Sequence, residues 1–129
     1  MNRNTVSVIG TLSFIALIGV SVVFYKERVL FFDISFHLFD ILRTGTFAIQ
    51  NYRIAAFFTQ LFPIIGTKAN LSLNTIALWY STSFLLLYFT TFSVVLLALK
   101  NVRVALAYFL FVTLISTHTF YWIQSELPQ

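Results

Sequence analysis

The chain contains no cysteine among its 129 residues. Disulfides, thiolate metal sites and cysteine nucleophiles are therefore excluded, and the redox compartment is left unread. Proline occurs twice and glycine four times, too rarely for a flexible linker or a low-complexity tract. Charge is equally sparse, with four acidic and eight basic residues making up 9% of the chain. Soluble domains carry roughly 25%. The basic residues Arg3, Lys26, Arg28, Arg43, Arg53, Lys68, Lys100 and Arg103 stand singly or in pairs between apolar runs. Nucleic-acid binders concentrate such charge on one face, so the pattern argues against a nucleic-acid partner. No phosphate-binding loop, nucleophile elbow, H-E-x-x-H or dinucleotide glycine pattern is present.

What the chain has in abundance is apolar surface. It is 59% hydrophobic, with 16 Phe, 6 Tyr and 2 Trp. A domain of this length buries only about two-thirds of its surface on folding, so the excess calls for lipid as a second solvent. The expectation is one domain over residues 1–129, all-α and integral to a membrane, with three transmembrane helices and two interfacial helices in the first loop.

The spans are predicted at about 6–25, 73–99 and 102–123. Each is free of Asp, Glu, Lys and Arg in its middle, and about 20 helical residues cover the roughly 30 Å of hydrocarbon; the one Arg that a predicted span does contain, Arg103, stands at its start. Helices suit lipid because their backbone polar groups are satisfied internally. The first run is longer than a signal-peptide apolar region and no A-x-A-like site follows it, which favours an uncleaved anchor. Lys100, Asn101 and Arg103 leave room for only a very short turn, so the second and third helices should form an antiparallel hairpin. Tyr121 and Trp122 suit an interfacial belt at the far end of the third.

The first loop has a different pattern. Asp33, His37 and Asp40 follow one another at i, i+4 and i+7, with Thr44 extending the stripe, which places them on one face of a helix over about 29–44. The rest of that helix is Phe, Leu and Ile, as in a helix lying in the interface plane. Gly45 ends it. A second segment, about 54–65, is too short to span and reads as interfacial or re-entrant. Three spans put Arg3, Lys100 and Arg103 on one side and five basic residues on the other, and this count favours a cytoplasmic long loop.

Two readings fit the acidic stripe. Asp33, His37 and Asp40 could ligate a divalent cation or supply a general base, or they form the wet face of an amphipathic helix. Arg43 could hold phosphate or pair with Asp40 three residues earlier. Arg53, beside Gln50 and Asn51, is a freer candidate for an anionic head group. Glu126 follows the third span on the side of the long loop, either facing that site or as a solvated tail carboxylate. His118 is expected at the interface.

The stretch F-D-I-S-F-H-L-F-D-I-L-R-T-G-T-F-A-I-Q-N-Y-R, residues 32–53, and the ending F-Y-W-I-Q-S-E-L-P-Q, residues 120–129, give the chain a layout that resembles the N-terminal part of GT-C-class glycosyltransferases. These are polytopic enzymes that take sugar from polyprenyl-phosphate carriers. The resemblance implies a long loop outside the cytoplasm of a bacterial inner membrane, with Asp33 as catalytic base or metal ligand and Asp40 as a second catalytic candidate. It implies Glu126 at the acidic position of the second outer loop and Arg53 on the carrier phosphate. On the spacing of the stripe, His37 is the candidate partner of Asp33 on such a cation. Such enzymes are several times longer, so this chain is expected to be the front portion of one and inactive alone. The rival expectation is a small non-catalytic membrane protein packed against partner membrane helices.

Overall fold

A computed structural model describes residues 2–48 and 56–119. All regular structure among them is helical. Helix α1 spans Arg3–Val23, α2 Tyr25–Val29, α3 Phe32–Thr44, α4 Ala56–Lys68, α5 Leu73–Ser93 and α6 Val102–Thr119. A π-helical turn, Val94–Ala98, prolongs α5. Among the described residues, two helices are long and apolar enough to cross a membrane, α1 and α5 with its π turn. Predicted residues 120–123 of the third span lie outside the described residues.

α1 and α5 run antiparallel. Ser81 Oγ donates to the Ser21 carbonyl at 3.1 Å near one end of the pair, and Gly10 lies against the Phe92 ring near the other. Small residues at such a crossing let two backbones approach. Between these points Phe14 packs on Phe89 and Phe92, with ring centroids 5.5 and 5.4 Å away. Phe109 of α6 closes the cluster, 6.2 Å from both Phe14 and Phe92. Ser and Thr hydroxyls within the helices donate to carbonyls three or four residues earlier, as at Ser21, Ser83, Thr90, Thr91, Ser93 and Thr113. An apolar setting demands such internal satisfaction. Back-bonding of this kind also loosens the helical ladder, and Thr90, Thr91 and Ser93 directly precede the π turn.

The hairpin after that turn is as tight as the sequence suggests. Lys100 takes a left-handed conformation (φ 54°), and the Asn101 amide reaches back to the Val95 carbonyl at 3.3 Å. Asn101 Oδ1 then accepts from the Val104 amide at 3.2 Å and starts α6. An equivalent stop ends α4. Asn70 is left-handed (φ 53°), and the amides of Asn70 and Leu71 bond to the carbonyls of Thr67 and Gly66, the pairing of a Schellman cap.

The first loop departs from the expected single helix over 29–44. The chain turns at Phe24 (φ −100°, ψ 27°), forms the short α2, and breaks again at Leu30 and Phe31 before α3 begins. Phe31 is extended and makes no side-chain cap. The break lets α2 pack on α5, through Val29 and Ile76, while α3 crosses toward α4. Gly45 ends α3 in a left-handed conformation (φ 66°). The expected 54–65 helix is found as Ala56–Lys68. It runs through buried Pro63, which has no amide proton to offer the preceding turn, because α5 holds it along its length.

Candidate functional site

The residues that could carry chemistry gather where α1 leaves the bundle and α5 enters it. This end is built from α2, α3, α4 and the first turns of α5. Ile34, His37, Leu38 and Ile41 form the inner face of α3, all buried at 7% exposure or less. Phe36 and Phe39 point the other way and are 60% and 63% exposed. The polar stripe read from the sequence is thus split. His37 faces the protein, next to Leu38 and Ile41, because α3 is clamped between α4 and α5 and must give an apolar face to both.

Asp40 stays near the surface and pairs with Arg43 at 3.0 Å. The same helix end carries a small hydroxyl relay. Thr44 Oγ1 donates to the Asp40 carbonyl at 2.8 Å, and Thr46 Oγ1 lies 3.0 Å from Thr44 Oγ1. With the Arg43 side chain 68% exposed, the ion pair contributes about 0–1 kcal/mol. Its chemical consequence is larger, since one Asp40 oxygen is already engaged.

Asp33 sits in the first turn of α3, where an acidic residue suits the positive end of a helix. Its side chain lies outside the described residues, as do Gln50, Asn51, Arg53 and Glu126, and the side chain of His118. The structure therefore places Asp40 and His37 on one helix, and the two face different surroundings. Among the described residues no group of three His, Asp or Glu side chains stands together as a metal site.

Two polar residues not singled out from the sequence are central here. Arg28 is 1% exposed, although its place in Lys26-Glu27-Arg28 suggests a flanking charge. Gln60 is 0% exposed and clamps the far end of the loop. Its Oε1 accepts from the Ala48 amide at 2.9 Å and its Nε2 donates to the Ala48 carbonyl at 3.1 Å. A signal existed for Gln60: it lies four residues before buried Ile64, on the inward stripe of α4. Nothing in the local pattern marks Arg28.

A groove of about 410 Å³ opens at the same end. Its walls include Val29 of α2, Leu30 just after it, Leu38 and Leu42 of α3, and Leu73 and Ala77 of α5. Lys26 stands at its rim with its ammonium 5.9 Å from the Tyr25 ring centroid.

No protein-family model, curated protein or solved structure matches the chain.

Proposed function

We propose that the chain is a three-span membrane module of a bacterial inner-membrane enzyme that transfers sugar from a lipid-phosphate carrier. The observation that carries the membrane part is the exposure of α1. Only 22% of its most apolar stretch is buried in the protein, and Val8, Leu12 and Ile15 are all more than half exposed. A core helix of a soluble domain hides that face, whereas a lipid-facing helix displays it. The sugar-transfer part rests on the layout that resembles GT-C enzymes and on the position of Asp33. That residue lies in the first turn of α3, just after the break that follows α2, and in this reading that is the level where a reacting head group meets water. In this reading Asp33 takes the acceptor proton or holds a divalent cation with His37. Asp40 stands by as a second acid, and Arg53 and Glu126 contact the substrate.

The test is Asp33→Asn in the intact enzyme. Insertion is expected to survive and sugar transfer from polyprenyl-phosphate donors to fall by about 10²-fold or more, the worth of a general base. Transfer at the wild-type rate removes the catalytic role.

A second reading is favoured by the bare aromatic face of α3. Phe36 and Phe39 are well placed to pack against helices of a partner membrane protein. In that case Phe36→Ser with Phe39→Ser disrupts co-purification of the partner, while Asp33→Asn leaves it intact.

A further inference from the structure

We infer that the groove between α2, α3 and α5 binds one acyl chain of an anionic bilayer phospholipid, with its headgroup phosphate on Lys26. This rests on the membrane reading above, and not on the sugar-transfer reading.

Three observations point to that occupant. First, the groove volume, about 410 Å³, lies in the range of small-molecule sites, roughly 300–1,000 Å³, and its walls are mostly apolar, with Phe39 beside the aliphatic residues. Second, its place is the end of the antiparallel α1–α5 pair, where Lys26 follows the last turn of α1 and Asn74 lies in the first turn of α5. In a bilayer this is the level of the headgroups, with the aliphatic walls reaching toward the acyl region. Third, the polar side chains in the lining are Tyr25, Lys26, Ser35 and Asn74. The only charge among these is positive, and the Tyr25 ring lies under its ammonium. A cation at the rim of an apolar slot complements an anion that carries an apolar tail.

Native mass spectrometry of the full chain in detergent tests this, with phosphatidylglycerol and phosphatidylcholine of matched acyl length as probes. One phosphatidylglycerol per chain should be retained in preference to phosphatidylcholine. Lys26→Gln, on the surface and safe for folding, should cut that preference roughly fivefold, the effect of one lysine beside an anionic leaflet. Ala77→Leu, which narrows the groove, should lower retention of both lipids while helix content by circular dichroism stays constant. Retention unchanged in both variants overturns the assignment. So does retention that appears only when the chain is ended at Thr119, since residues 120–129 would then be the occupant. Flotation of the wild-type chain with phosphatidylglycerol vesicles separates the two levels of failure. A chain that floats but shows no groove-dependent retention loses the lipid site and keeps the membrane assignment. A chain that stays dispersed without detergent loses both.

Discussion

At the scale of single residues, the packing turns on a few positions where one atom decides the outcome. A Cβ on Gly10 would collide with Phe92 Cζ. Phe92 is 1% exposed and hemmed in by Phe14 and Phe109, so its ring has nowhere to swing. Gly10→Ala is therefore expected to destabilise the α1–α5 contact by about 1–3 kcal/mol, the usual cost of overpacking. Gly19 lies on the same helix with nothing within 4 Å of its virtual Cβ. Gly19→Ala should leave stability unchanged or raise it by up to ~1 kcal/mol. Unfolding of both variants in one detergent measures the difference, and equal midpoints would dismiss the close approach. Gln60 supplies a different kind of test. Gln60→Leu keeps the volume but strands the amide and carbonyl of Ala48, at about 1–3 kcal/mol for each buried group left unsatisfied. Hydrogen exchange at the Ala48 amide should accelerate well before exchange in α5 does. Protection equal to wild type would mean that the clamp does not hold this segment.

At the scale of elements, the helices were largely legible, and so was the α5–α6 joint, but the joints of the first loop were not. Apolar runs with no charge in their middle announced α1, α5 and α6, and the Lys100-Asn101 turn announced the hairpin, because lipid-compatible helices have a simple compositional signature. The division of the first loop was not legible. The V-L-F-F-D-I-S-F-H-L-F-D-I-L pattern reads as one amphipathic helix, and nothing local distinguishes a helix floating at an interface from one clamped on two sides. Only the packing of α4 and α5 decides that His37 turns inward and Phe36 outward. Of the predicted site residues, Asp40 and His37 are described, and the side chains of Asp33, Arg53 and Glu126 lie outside the described residues. Asp40 does meet Arg43, as helical spacing allowed, but the burial of Arg28 and Gln60 is a tertiary fact. The hairpin itself yields a prediction. Lys100 holds φ at 54°, a conformation that costs a residue with a Cβ about 1–2 kcal/mol. Lys100→Gly is expected to stabilise the α5–α6 pair by about 1 kcal/mol, seen as a higher unfolding midpoint in detergent. A lower midpoint would show that the lysine side chain contributes more than its backbone strain costs.

At the scale of the whole molecule, the number of crossings sets everything about which residues can meet. Taken as ideal helices at 1.5 Å per residue, α1 with 21 residues is about 32 Å long and α5 with its π turn, 26 residues, about 39 Å. Each covers the roughly 30 Å of hydrocarbon. α6, with 18 residues, reaches about 27 Å, close to that thickness but short of it. The third crossing of the proposed three-span reading therefore needs chain beyond Thr119. The absence of native cysteine makes the question directly accessible. Single cysteines at Asn4, Ala69, Lys100 and Gln129 can each be labelled with a membrane-impermeant maleimide in sealed vesicles. Two crossings by α1 and α5 put Asn4→Cys and Lys100→Cys on one face and Ala69→Cys on the other. The third crossing puts Gln129→Cys with Ala69→Cys, and only then can Glu126 share a surface with Asp33 and the groove. Labelling of Gln129→Cys together with Asn4→Cys would instead leave α6 on the entry face, separate Glu126 from the acidic loop by the whole bilayer, and withdraw it from the site.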